Sequence, residues 1–164
     1  MGQIPFISDQ FIDEKTDFSS LIERLKEAFG NNSVLVPQRH HHDFPNPEEG
    51  IDSSMLLMPA WDPGKIAGVK IVTVSPNNGK YNLPTIQGIY LYLDAQKGTI
   101  KAIIDAKELT NKRTAAASAL ASTFLSREDS SSLLMIGTGA LSRNLIRAHA
   151  RIRPIKEVYI YGRS

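Results

Sequence analysis

The chain has 164 residues, 41% of them hydrophobic, with 19 basic against 17 acidic side chains and no cysteine. This apolar content suffices for a core in one domain or two small ones, and the near-balanced charge of +2 argues against a nucleic-acid or membrane surface. Absence of cysteine excludes disulfides, thiolate metal sites and a cysteine nucleophile; with no leader before Ile4 and no apolar run near the ~18 residues of a membrane span, a cytoplasmic protein is expected.

Ile4-Pro5-Phe6-Ile7 reads as a short strand, followed by a brief helical turn capped by Ser8 or Asp9. From Asp17 to Phe29 the apolar residues Phe18, Leu21, Ile22, Leu25, Ala28 and Phe29 fall at helical spacing, with Asp17 as N-cap and Gly30 as the stop. Val34 to Phe44 is extended and changes from apolar to polar halfway. Its adjacent His40, His41 and His42 alternate faces on a strand and lack the i, i+4 helical pair, so no metal site is expected. Met55 to Met58 and Ile66 to Val74 are two further strands, joined by the turn residues Trp61-Asp62-Pro63-Gly64. Lys70 interrupts the second strand, and a lysine in a buried strand needs a partner or an anionic ligand. Ser75 to Lys80 reads as loop, and Thr85 to Leu93 pairs with Thr99 to Ile104 as a hairpin.

Ala106 to Phe124 is helical and rich in small residues, which permit close approach to another helix or to a ligand. Arg113 stands near the start of its alanine-rich part, where a helix dipole and a guanidinium together can hold an anion. Arg39, Lys70 and Arg113 are the cations with unusual surroundings. They are either one anion site for a substrate carboxylate or three separate salt-bridged residues. Ser126 to Ser132 is polar and reads as a junction between domains.

Leu133-Leu134-Met135-Ile136 then runs into Gly137-Thr138-Gly139-Ala140-Leu141-Ser142, and Leu141, Leu145, Ile146, Ala148 and Ile152 continue at helical spacing. Glu157-Val158-Tyr159-Ile160-Tyr161 completes a βαβ unit of the length a dinucleotide fingerprint requires. Gly137 permits the tight turn, Gly139 lets the backbone approach a pyrophosphate over the positive end of the next helix, and Ser142 supplies the small third residue. About 20 positions past the third glycine, NAD-binding units carry an acidic residue for the ribose 2′-hydroxyl. Here Gly162, Arg163 and Ser164 occupy that region. A guanidinium with a hydroxyl suits a 2′-phosphate, so NADP(H) is the expected preference and NAD(H) is possible. A complete sheet of this kind has about six strands, so the chain is expected to be the front part of a larger enzyme. Alone, its last two strands should leave apolar surface and strand edges exposed.

The stretches Lys112-Arg113-Thr114-Ala115-Ala116-Ala117-Ser118-Ala119, Gly68-Val69-Lys70, Leu83-Pro84-Thr85-Ile86-Gln87-Gly88 and Ile136-Gly137-Thr138-Gly139-Ala140 resemble the ornithine cyclodeaminase and mu-crystallin family, over nearly the whole chain. The resemblance implies an α/β fold class: an α+β substrate and dimerisation domain with a mostly antiparallel sheet over 1–130, then the first βαβ unit of a Rossmann domain over 131–164. It implies a homodimer acting on a small amino or imino acid, with Arg39, Lys70 and Arg113 as substrate-carboxylate ligands and Thr85 as a pocket residue. The cofactor would lie against Thr114, Gly137, Thr138, Gly139, Ala140, Leu141, Ser142, Arg163 and Ser164. The catalytic acid-base residue is expected beyond Ser164. The chemistry implied is hydride transfer at the C–N bond alpha to a carboxylate. An ornithine cyclodeaminase-like activity, giving proline and ammonia, is the first expectation. A cyclic imino acid reductase or alanine dehydrogenase-like enzyme is the alternative, and a non-catalytic crystallin-like binder is the reading of another class.

Overall fold

The computed structural model describes residues 3–163. Its compact units are residues up to Asp9 with Asn32–Lys107, and Gln10–Asn31 with Glu108 onward.

The first unit is a six-stranded sheet. Its strands are β1 (Phe6–Ile7), β2 (His40–Phe44), β3 (Ser53–Asp62), β4 (Ile66–Val74), β5 (Ile86–Asp94) and β6 (Ile100–Asp105), in the order β1-β6-β5-β4-β3-β2. β2 to β6 form an antiparallel meander, and β1 adds in parallel to β6. Short connections explain the antiparallel pairing. At the β5–β6 turn the Asp94 carboxylate accepts from the backbone N–H groups of Gln96 at 3.0 Å and Lys97 at 2.9 Å.

Two sequence expectations change here. β3 runs on through Trp61 and Asp62, which the sequence assigns to the turn. Trp61 pairs with Ala67 and also exchanges backbone bonds of 2.8 and 3.0 Å with Leu35, so both its edges are held in sheet geometry. The segment read as loop after Val74 forms a 3-10 helix, Pro76–Tyr81, whose first-turn proline presets the backbone angle. Asn82 ends it in the left-handed region, at φ 56.

The second unit holds most of α1 (Asp9–Lys15), α2 (Phe18–Gly30), α3 (Ala106–Leu125) from Glu108 on, and β7 (Ser132–Ile136), α4 (Ser142–Ile152) and β8 (Glu157–Tyr161). Asp17 caps α2 by accepting from Ser20 N at 3.0 Å. Gly30 is the last helical residue, and Asn31 closes the helix through its N–H to Ala28 O. The core joins Phe18 and Ile22 of α2, Ala115, Ala116, Ala119 and Leu120 of α3 and Ala148 of α4. The alanines explain the small-residue run: a larger side chain there would hold the helix backbones apart.

Two cations tie this unit together by capping helix ends, where the last carbonyls lack intrahelical donors. Lys112, 1% exposed, donates to the carbonyls of Asp13 and Thr16 at 2.6 Å and of Ile12 at 3.3 Å at the end of α1. Arg153, just past α4, donates to the carbonyls of Ser122, Thr123 and Ser126 at the end of α3, at 3.0 to 3.1 Å. β7 and β8 pair in parallel from Ser132↔Glu157 to Ile136↔Tyr161 and form a sheet of two strands among the described residues. Leu134, Ile136, Tyr159, Ile160 and Tyr161 are all exposed, as a pair of strands without further sheet neighbours requires.

Candidate functional site

The glycine turn is built by the ends of β7 and β8. Gly137 donates to Tyr161 O at 2.8 Å, which sets the first glycine beside the end of β8. Its φ of +108 lies where side chains other than glycine's are strained. Ser142 closes the turn twice, its N–H reaching Gly139 O at 3.0 Å and its Oγ the same oxygen at 2.7 Å. A Cβ at Gly139 would meet nothing within 4 Å among the described residues, so the backbone there faces open space. Leu141 at the N-cap of α4 makes no side-chain cap bond, so beyond the Ser142 N–H, which Gly139 O takes, the first turn of this 11-residue helix has no side-chain cap and can meet a ligand or water. Thr138 and Ala140 are exposed, and Leu141 is half-buried. These residues fit a pyrophosphate: no side chain fills the space beside Gly139 and none caps the helix that follows.

Arg163 is exposed two residues beyond β8, on the side of the sheet where the glycine turn lies, since β7 and β8 are parallel and end together. Ser164 lies outside the described residues. Arg113 is exposed on α3, Thr114 beside it is half-buried, and Lys112 is buried. One turn of helix therefore directs one cation inward and the next outward. The expectation that a helix dipole assists Arg113 is corrected. α3 begins at Ala106, and the dipole's effect is confined to the first turn, which Arg113 has left behind.

In the first unit Lys70 is half-buried in β4, paired with Met58 on one side and Tyr90 on the other. Arg39 is exposed immediately before β2, where His40 pairs with Leu57. Continuing that register by one residue brings Arg39 to Met58. Thr85 is exposed just before β5. Its segment is fixed through the backbone, with Ser75 N donating to Thr85 O at 2.9 Å and Asn78 Nδ2 to Pro84 O at 2.9 Å.

Three features escape the sequence reading. Tyr90 lies over Gly68: an ideal Cβ on Gly68 would sit 2.0 Å from the phenol oxygen. The signal for it is the glycine itself, since glycine inside a strand marks a close approach. Glu49 latches the loop before β3 to the 3-10 helix, accepting from Lys80 Nζ at 2.8 Å and from the Tyr81 hydroxyl. These donors, Lys80 first, hold its carboxyl at about 2, below the ordinary 4.5. Finally, His41 Nε2 meets Asp43 Oδ1 at 3.0 Å while Ser54 Oγ donates to the same oxygen. The Ser54 hydroxyl, ahead of His41, lowers the Asp43 carboxyl below its ordinary value. His40 and His42 share the opposite face, with ring centroids 6.1 Å apart. Among the described residues no three histidine or carboxylate side chains are grouped to hold a metal, and no helix is long and apolar enough to cross a membrane.

A parallel βαβ unit with a glycine turn, on the same chain as a mostly antiparallel six-stranded sheet, places the protein in the Rossmann-type α/β class. Within that class it belongs to the ornithine cyclodeaminase/mu-crystallin family, whose model matches residues 6–164. The Delta(1)-pyrroline-2-carboxylate reductase of Colwellia psychrerythraea is 34% identical over 159 residues, covering 96% of this chain and 50% of that protein. The structure of the Thermococcus litoralis Delta(1)-pyrroline-2-carboxylate reductase in complex with NADH and L-proline superposes with a TM-score of 0.84 at 26% identity, covering 98% of this chain and 50% of the other. An archaeal alanine dehydrogenase dimer with bound NAD gives 0.84 at 25% identity, covering 97% and 48%. The chain thus spans about half the length of the curated relatives it matches.

Proposed function

We propose that this chain belongs to an NADPH-dependent reductase of cyclic imino acids, of the Delta(1)-pyrroline-2-carboxylate reductase type. The observation that carries the reading is the open glycine turn at the paired ends of β7 and β8, with Arg163 beyond it. Similarity to reductases of that name, one of them in complex with NADH and L-proline, supports the substrate class and moves an ornithine cyclodeaminase activity to second place. Residues 1–130 serve as the substrate and dimerisation part and 131–164 open the cofactor part. Dimerisation is supported by the archaeal alanine dehydrogenase dimer.

Gly137, Thr138, Gly139, Ala140, Leu141 and Ser142 would hold the pyrophosphate, with Thr114 beside it, and Arg163 with Ser164 the 2′-phosphate. A bound nicotinamide cofactor supplies a hydride for the carbon of a C=N bond alpha to a carboxylate. Arg39, Lys70 and Arg113 bind that carboxylate and fix which carbon is presented, and Thr85 lines the pocket from its backbone-anchored segment. The nitrogen takes up one proton per turnover.

The test follows cofactor absorbance in the full-length protein with the five-membered cyclic imine and with ornithine. Oxidation of NADPH by the imine, without ammonia release from ornithine, is expected. Ammonia from ornithine would establish the cyclodeaminase instead. NADPH binding with no change for any amino or imino acid would establish a binder.

A further inference from the structure

We propose that Tyr90 is a specificity-determining wall beside Lys70, its ring held over Gly68 so that the substrate pocket takes a five-membered cyclic imino acid in preference to its six-membered homologue. The inference rests on the reading under Proposed function and names the residue that would set ring size.

Gly68 and Lys70 are two residues apart in β4 and so share a face of the sheet, and Tyr90 on β5 pairs directly with Lys70. An ideal Cβ on Gly68 would lie 2.0 Å from the Tyr90 hydroxyl oxygen, 2.4 Å from Cζ and 2.9 Å from the carbonyl oxygen of Leu91. The phenol therefore starts beside Lys70 and ends in the space a side chain at position 68 would need. Glycine weakens a strand interior, and Gly68 is buried within one; room for the ring gives that glycine a physical reason.

Lys70 is flanked unequally. Met58 on one side is unbranched and adaptable. Tyr90 on the other is a rigid plane with its far end lodged against backbone. Burial raises the Tyr90 phenol above its ordinary value, so the wall is neutral and does not repel a carboxylate bound at Lys70. A ring tethered through that carboxylate has Tyr90 as its fixed boundary.

The test compares the full-length protein with its Tyr90→Ala, Tyr90→Phe and Gly68→Ala variants. The readouts are kcat/KM for the five- and six-membered imines and, independently, calorimetric affinities for L-proline and its six-membered homologue. One methylene in a fitted pocket is worth roughly 10-fold or more, so the unmodified protein should favour the smaller ring by about that factor. Tyr90→Ala should bring the two within about threefold of each other. Tyr90→Phe keeps the wall and should keep the ratio, and Gly68→Ala should raise KM for both rings by displacing the phenol. If Tyr90→Ala does not fold, the Phe and Gly68→Ala variants decide: a ratio lost in Tyr90→Phe, or an unaltered KM in Gly68→Ala, overturns the proposal. An unaltered ratio in folded Tyr90→Ala also overturns it while leaving the reductase reading intact. An unmodified protein that turns over neither imine overturns both.

Discussion

Replacing Lys112 by methionine keeps most of the buried methylene volume and removes the ammonium. The ammonium donates to Asp13 O and Thr16 O at 2.6 Å and Ile12 O at 3.3 Å, and it meets Asp13 Oδ1 at 3.1 Å. The carboxylate is 40% exposed and water replaces much of what it loses, so the ion pair itself contributes little. The carbonyls close the end of α1, and hydrogen bonds to a charged donor contribute about 1.5–3 kcal/mol each. Two short bonds at the lower end of that range give a loss of about 3 kcal/mol. For a chain of this size that corresponds to roughly 6–12 °C in Tm. Circular dichroism at the helix band reports the second unit, which holds most of the helices, and the fluorescence of Trp61, the single tryptophan, reports the first. A Lys112→Met protein whose helix-band midpoint stays within about 0.5 kcal/mol of the unmodified one refutes the capping argument. Asp13→Asn should cost no more than about 1 kcal/mol.

Arg163→Asp should weaken NADPH binding to the full-length protein by about 1–3 kcal/mol, read by nucleotide fluorescence; equal affinity of the unmodified protein for NADH and NADPH contradicts the assignment. Arg113→Ala should lower kcat/KM by about 10²-fold with cofactor affinity little changed, and unaltered kinetics would make Arg113 an ordinary surface cation. The Glu49 latch should survive mild acid. Its folded carboxyl lies at about 2, below the ordinary 4.5, so its contribution is present above the ordinary value and lost as pH falls through about 2. Tyr81 ring resonances should therefore hold steady down to about pH 3, and a transition centred near 4.5 refutes the latch.

What the sequence made legible were features written in local order. Helical spacing in α2, the Asp17 cap and the strand–turn–helix–strand series from Leu133 to Tyr161 each depend on neighbours a few positions apart. The family motifs added which cations to suspect. The division of Lys112-Arg113-Thr114 into one inward and one outward cation was not readable, because Lys112 finds its carbonyls 96 to 100 positions away. The dipole expected to assist Arg113 fails for a simpler reason: the helix begins at Ala106, where the pattern starts it, and Arg113 lies past the first turn to which the dipole is confined.

Lys70 shows where pattern reading stops and geometry begins. As a lone cation in an apolar strand it invited the question of which anion it meets, and residue type alone can pose only that much. The register turns the question into a more restricted one, because it sets a flexible Met58 on one side and the aromatic ring of Tyr90 on the other. In the proposed reading the charge of Lys70 selects a carboxylate, whereas the shape of what the carboxylate carries is selected by residues with no charge. Gly68 belongs to that selection although it contacts no ligand: by having no side chain it decides where Tyr90 rests. A substitution at Gly68 would therefore be felt as a raised KM for both rings through the displaced phenol, with the cation and its charge untouched.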